Sequence, residues 1–71
     1  METLTNQVIR NRIKILRKQK KLTQQDVSDF LGTTKQAYYK YEKGINKVNI
    51  ALLEKLTKLY NIDLYTFFRG L

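Results

Sequence analysis

The chain contains no cysteine, no histidine and no proline among its 71 residues. Without cysteine it can form neither a disulfide nor a thiolate metal site, and without histidine it lacks the commonest general base and the commonest metal ligand. No glycine-rich phosphate loop or paired-carboxylate cluster takes their place. We therefore expect no metal, no cofactor and no enzymatic activity. The absence of proline, with only three glycines, favours an all-helical fold.

The charge of the chain is strongly one-sided, with 14 lysines and arginines against 6 acidic residues and a formal net charge of +8. In so short a chain this balance indicates an anionic partner, most often nucleic acid. The alternatives are binding to a membrane surface and a surface charge that only keeps the protein soluble. No apolar run approaches the roughly 20 residues that span a bilayer. The first six residues lack the basic and then apolar order of a signal peptide, so we expect a cytoplasmic protein.

Apolar spacing and capping residues predict five helices in a single domain, residues 1–71. The predicted segments cover about residues 6–19, 23–32, 34–44, 49–61 and 63–69. The expected N-caps are Thr23, Thr34, Asn49 and Asp63. Gly32 and Gly44 are placed to end the second and third helices in the left-handed conformation. In the fourth helix, the residues expected on the inner side are Ile50, Leu53, Leu56, Thr57 and Tyr60, with Leu52 and Leu59 on its flank.

The third helix has two contrasting sides on a wheel of about 100° per residue. One side is apolar and holds Ala37, Tyr38, Tyr41 and Ile45. The other holds Lys35, Gln36, Tyr39, Lys40 and Lys43, and no acid. A helix that packs one side on a core and offers an acid-free basic side is suited to the major groove of DNA.

Candidate DNA contacts follow from residue type and position. Lysine can donate to guanine and glutamine can bind adenine at two atoms, so the predicted base contacts are Lys35, Gln36, Tyr39 and Lys40. Tyr39 would stack on a sugar or touch a thymine methyl. Helix starts and loop cations bind phosphates, so the predicted phosphate contacts are Gln24, Thr34, Lys43, Asn46 and Lys47. The alternatives are a purely capping role for Thr34 and simple hydration for the loop lysines.

Several sequence elements together resemble those of a known family, the lambda-repressor-like (Xre/Cro-type) helix-turn-helix proteins. The matching elements are Ile13-Lys-Ile-Leu16-Arg17, Leu22-Thr23-Gln24-Gln25, Phe30-Leu31-Gly32, Tyr41-Glu42-Lys43-Gly44 and Ile50-x-x-Leu53-x-x-Leu56. The resemblance implies a five-helix DNA-binding domain, with the helix-turn-helix at about residues 23–43, that acts as a dimer on inverted-repeat operators. It also implies an inward ion pair between Arg17 and Glu42, which would hide the acid from DNA.

The chain departs from the family pattern at three positions. Lys21 stands where the family often has glycine, which predicts a less sharp end to the first helix. Tyr38 replaces the usual isoleucine or valine, and its hydroxyl must reach water or a partner. Val48 replaces a frequent proline.

The C-terminal end is too apolar to remain uncovered. The residues concerned are Tyr65, Phe67, Phe68 and Leu71. We expect part of this set to close the core of the protomer and the rest to form a two-fold dimer interface.

The sequence thus predicts a double-stranded-DNA-binding transcriptional regulator, a dimeric repressor, with no small-molecule ligand. The alternatives are an antitoxin or protein-binding adaptor with the same fold, and the DNA-binding domain of a longer ligand-sensing regulator.

Overall fold

The computed structural model describes residues 4–69, and this part of the chain is built from helices alone. The five helices are α1 (Leu4–Gln19), α2 (Gln24–Leu31), α3 (Lys35–Lys43), α4 (Ile50–Tyr60) and α5 (Leu64–Phe68). The predicted all-α, five-helix architecture is confirmed, and the helix ends lie within two residues of the predicted positions. No helix in residues 4–69 has the length and apolar character needed to cross a membrane.

Local side-chain hydrogen bonds define the helix-turn-helix formed by α2 and α3. Thr23 and Asp26 form a reciprocal capping box, in which the Thr23 hydroxyl accepts from the Asp26 N–H at 3.0 Å and the Asp26 carboxylate accepts from the Thr23 N–H at 2.9 Å. Thr34 caps α3 by accepting from the Ala37 N–H at 3.1 Å. Between them Gly32 ends α2 with a φ of 72°, a left-handed conformation that glycine adopts without steric cost.

The end of α1 differs from the prediction. Lys21 adopts a φ of 58°, and the Leu22 N–H donates to the Arg17 carbonyl at 3.1 Å. This bond closes the helix sharply, in the manner usually reserved for glycine, so the expectation of a gradual end is wrong. A non-glycine residue in this conformation costs about 1–2 kcal/mol, which the surrounding structure must offset.

The core lies where α1, α2, α3, α4 and α5 meet. Its buried apolar members are Ile13, Leu16, Val27, Tyr38, Leu52, Leu53, Leu56, Tyr60 and Phe67. Two predicted inner-side residues lie outside it, because Ile45 is 63% exposed and Ile50 is 59% exposed. Ile45 follows the left-handed Gly44, where the helical period stops, and Ile50 occupies the first turn of α4, while Leu52 faces inward instead.

Candidate nucleic-acid interface

The polar arc of α3 remains open to solvent. Its members, which we call the outer side of α3, are Lys35, Gln36, Tyr39, Lys40 and Lys43, and all five are exposed. None of these five side chains makes a hydrogen bond or ion pair to another residue in the range 4–69. The donors of this side, together with the Gln36 carbonyl oxygen and the Tyr39 hydroxyl, are therefore available to a ligand.

Part of the outer side of α3 joins the start of α2 around one open hollow. Its volume is about 370 Å³, and it is lined by Gln24, Lys35, Gln36 and Tyr39. The fold thus brings together one predicted phosphate contact and three predicted base contacts from two helices. In the sequence Gln24 and Tyr39 are 15 positions apart, and only the helix-turn-helix geometry makes them neighbours.

The one acid of α3 points away from this surface. Glu42 is 5% exposed, and its Oε2 accepts from the Nε of Arg17 at 2.7 Å while its Oε1 accepts from the Arg17 Nη2 at 3.1 Å. The two parallel bonds make a bidentate pair between α1 and α3. Arg17 also donates to the Leu22 carbonyl at 2.9 Å, so it ties the end of α1 to the start of the helix-turn-helix.

Tyr38, which replaces the isoleucine or valine usual in the family, has a partner for its hydroxyl inside the protein. The hydroxyl donates to the Glu42 Oε2 at 2.5 Å. The phenol fills the core and its polar end meets the same carboxylate as Arg17. The burial of Tyr38, followed by its hydrogen bond to Glu42, raises the pKa of its hydroxyl far above the ordinary value. Tyr38 therefore remains a neutral donor at every physiological pH.

Glu42 experiences opposing influences on its protonation. Burial raises the pKa of the carboxyl, but the hydrogen bonds from Arg17, Tyr38 and Gln24 lower it, and the net pKa is below the usual range. The hydrogen bond to Glu42 in turn raises the pKa of Arg17. The pair is consequently charged at neutral pH and satisfied by donors from three helices.

Gln24 has a partner that sequence reasoning missed. Its Nε2 donates to the Glu42 Oε1 at 3.1 Å, so the side chain of a predicted phosphate contact is tied to the buried carboxylate. The two residues are 18 positions apart, and no periodicity or motif in the sequence relates them. Arg10, also missed, donates through Nη1 to the Glu42 carbonyl at 3.2 Å, near the end of α3.

The remaining predicted phosphate contacts lie at both ends of α3. Thr34 is exposed, and its hydroxyl accepts from the Ala37 N–H at the start of the helix. Lys43 belongs to the last turn, while Asn46 and Lys47 are exposed in the following loop. The loop returns toward α3 because the Asn46 N–H donates to the Lys40 carbonyl at 3.1 Å.

The predicted dimer residues separate into two groups. Phe67 is fully buried in the core and therefore belongs to the part of the set that closes the protomer, because a side chain without exposed surface cannot contact a second copy. Tyr65 is 74% exposed and Phe68 is 39% exposed, and with Leu64 and Arg69 they line an open hollow. We call these four residues the C-terminal surface. Leu71 lies outside the described residues.

Comparison with known protein families gives one match over most of the chain. A family model described as "Helix-turn-helix" matches residues 13–67, which include every residue of the outer side of α3 and the Arg17–Glu42 pair.

Curated proteins with similar sequences are named as regulators. The uncharacterised HTH-type transcriptional regulator YqaE of Bacillus subtilis is 38% identical over 58 residues, which is 82% of this chain and 50% of that protein. The cryptic phage CTXphi transcriptional repressor RstR of Vibrio cholerae is 33% identical over 54 residues, or 76% of this chain and 49% of RstR. The SPbeta prophage-derived regulator YonR of Bacillus subtilis, also uncharacterised, is 36% identical over 59 residues, or 83% of this chain and 55% of YonR.

The chain therefore spans about half the length of the curated relatives it matches. No solved structure matches it.

Proposed function

We propose that this chain, which belongs to the lambda-repressor-like (Xre/Cro-type) helix-turn-helix family, binds specific sites on double-stranded DNA and represses transcription there. In this proposal α3 enters the major groove with its outer side toward the bases. The protein performs no chemistry, and regulation follows from occupying an operator.

The observation that carries the proposal is the state of the outer side of α3. Five exposed polar side chains, three of them lysines, point to solvent without an acid among them, while the acid of the same helix is buried against Arg17. Phosphates attract such a surface, and base edges can bind its donors and its amide oxygen. A helix that merely covered a core would not need this arrangement.

The residue roles divide by distance along α3. Residues at the start of a recognition helix reach base edges, so Lys35 and Gln36 are assigned to bases, with Tyr39 and Lys40 one turn further on. The helix ends and the next loop meet the backbone of DNA, and the residues assigned to phosphates are Gln24, Thr34, Lys43, Asn46 and Lys47.

Specific recognition further requires two copies. One recognition helix reads about 4–5 base pairs, too few to mark a site in a genome, and two copies related by a two-fold axis double this number. The C-terminal surface is the candidate contact, because Tyr65 and Phe68 expose aromatic rings beside Leu64. A second copy is the occupant that we assign to it, since a two-fold interface uses the same surface on both partners. Repression is favoured by the name of RstR.

The proposal is tested by selecting a duplex from a random library and measuring its affinity over a range of salt concentrations. With about 4–6 phosphates neutralised per half-site, log K should fall against log salt with a slope of about −0.9 per phosphate. A selected duplex whose affinity does not change with salt would contradict the electrostatic basis of the proposal.

The dimer is tested on the same duplex. The selected site should be an inverted repeat with half-site centres about 10 base pairs apart, and an insertion of about 5 base pairs should abolish cooperative binding because the two helices would then face opposite sides of the duplex. Tyr65→Asp lowers the net charge by one unit and should likewise abolish cooperativity. Lys58→Asn on α4 lowers the net charge by the same amount at an exposed residue outside the C-terminal surface and should leave cooperativity unchanged. A single half-site bound as tightly as two would contradict the dimer.

A further inference from the structure

Gln24 contacts both the buried and the exposed parts of the helix-turn-helix. Its side chain lines the hollow beside Lys35 and Gln36, and it also donates to the carboxylate of Glu42. We propose that Glu42 is a positioning residue for DNA binding, acting through the side-chain amide of Gln24. This inference rests on the proposed function and adds to it a role for an acid that never touches DNA.

The carboxylate of Glu42 is a fixed point. Arg17 binds both of its oxygens, from α1, and the Tyr38 hydroxyl binds Oε2 from one turn earlier in α3. Because Glu42 is 5% exposed, water does not compete for these positions. A group hydrogen-bonded to this carboxylate is therefore held relative to both α1 and α3.

Chemistry then determines which way the Gln24 amide faces. An ionised carboxylate only accepts hydrogen bonds, so the amide must present its nitrogen to Glu42. The nitrogen has a second N–H, and the carbonyl oxygen remains as an acceptor. Since Gln24 lines the hollow, this N–H and this oxygen are the polar groups that it offers to a ligand there.

Ordering the amide beforehand increases affinity. A free glutamine side chain loses rotamer freedom when a ligand immobilises it, and a side chain already held by its own protein loses less. The remaining N–H is a donor suited to a phosphate oxygen, a contact that does not depend on base sequence. One N–H of Gln24 thus bonds Glu42 and holds the side chain in place, while the other N–H remains for the predicted phosphate contact.

The first experiment removes the amide and keeps the length of the side chain. Gln24→Met should weaken binding about tenfold, and equally on the selected duplex and on an unrelated duplex, because the lost contact is to the backbone. The matched control is Gln25→Met, a neighbouring exposed glutamine that does not line the hollow, and its affinity should stay within about twofold of the unmodified protein. Equal affinity of Gln24→Met and the unmodified protein would overturn the inference.

The second experiment separates positioning by Glu42 from simple contact by Gln24. In a Glu42→Gln background, checked for folding by circular dichroism, Gln24→Met should cost less than about twofold, because the amide is no longer held by a carboxylate. The same tenfold cost in both backgrounds would show that Gln24 acts without Glu42 and would overturn the proposal.

A measurement on the unmodified protein covers the case in which Glu42→Gln does not fold. In nuclear magnetic resonance spectra of the protein without DNA, the Gln24 side-chain amide should occupy one rotamer and exchange its protons slowly. Averaging of Gln24 over several rotamers would overturn the proposal even if the protein binds DNA. If the unmodified protein binds no duplex at all, the proposed function itself fails, which is a distinct result.

Discussion

The two sides of α3 carry similar residue types with opposite consequences. On the inner side Tyr38 and Glu42 are buried and hydrogen-bonded to each other, and the Glu42 carboxylate also accepts from Arg17 and Gln24. On the outer side Tyr39 and Lys43, each one position further along the chain, are exposed and have no side-chain partner among residues 4–69. One residue step on a helix is about 100°, and this rotation separates groups that specify the structure from groups available to a ligand.

The difference shows where each polar group contributes free energy. A buried polar group must find a partner in the protein, because leaving it unpaired costs about 1–3 kcal/mol, and more for a charge. An exposed polar group forms hydrogen bonds to water, so the lack of a partner in the protein costs it little free energy. Changes on the inner side should therefore alter stability, and changes on the outer side should alter binding.

The largest expected effect comes from removing the cation of the buried pair. Arg17→Met should lower the free energy of unfolding by about 3–5 kcal/mol, because Glu42 would remain buried without its charged partner. The total free energy of unfolding of a chain of this size is about 4–10 kcal/mol, so the variant should be close to unfolding at room temperature. Urea denaturation measures this, with Lys18→Met, an exposed neighbour, as the control. Equal urea midpoints would mean that the pair contributes little.

Acid should weaken the inner side without any substitution. The folded pKa of Glu42 lies below its ordinary value of 4.5, so the stability contributed by the carboxylate is complete above about pH 4.5 and is lost as the pH falls through the lower, folded-state pKa. The caps Asp26 and Asp63, whose pKa values are also lowered by hydrogen bonds from Thr23 and Thr66, act in the same direction. Urea midpoints measured from pH 7 to pH 3 should fall, and a constant midpoint between pH 5 and pH 3 would contradict this account.

Two buried tyrosines sharpen the comparison within the core. Tyr38→Phe removes a donor to a charged acceptor and should cost about 1.5–3 kcal/mol of folding free energy. Tyr60 is also buried, but its hydroxyl has no partner of good hydrogen-bond geometry among residues 4–69. Burial raises the pKa of this hydroxyl to about 12, although the nearby Tyr38 hydroxyl acts to lower it. Tyr60→Phe should therefore be neutral or stabilising. Thermal unfolding of both variants measures the contrast, and an equal loss in the two would contradict it.

The outer side should show the reverse behaviour. Gln36→Ala should cost about 1–3 kcal/mol in binding to the selected duplex and relax the preference at one or two base positions, because it removes a base contact. Its melting temperature should stay close to that of the unmodified protein, as for the exposed Gln19→Ala, which should also leave binding unchanged. A Gln36→Ala variant that loses stability and keeps its affinity would reverse the assignment of the two sides.

The smallest effect concerns a residue that lies on neither side of α3. Lys21→Gly should raise the free energy of unfolding by about 1 kcal/mol, because glycine adopts the left-handed conformation at this position without steric cost. The control is Lys18→Gly in the last turn of α1, which should lower stability by about 1 kcal/mol. Destabilisation by both substitutions would show that the left-handed conformation of Lys21 is not strained.

The sequence by itself determined the helices, their caps and the two sides of α3. Thr23, Thr34, Asn49 and Asp63 each bond to a backbone N–H three positions later, so their roles follow from rules that act within one helical turn. The outer side of α3 likewise follows from the helical period. Where the period stops, after Gly44, the same reasoning misplaced Ile45.

Only the tertiary structure decided which distant groups meet. The Gln24 amide and the Arg17 guanidinium reach one carboxylate across 18 and 25 positions, and Phe67 is in the core while its neighbour Phe68 is exposed. Partners at such separations depend on how whole helices pack, which no short-range pattern encodes. The resemblance to a family supplied the Arg17–Glu42 pair, but the bond from Gln24 depended on the packing of α2 against α3 in this chain.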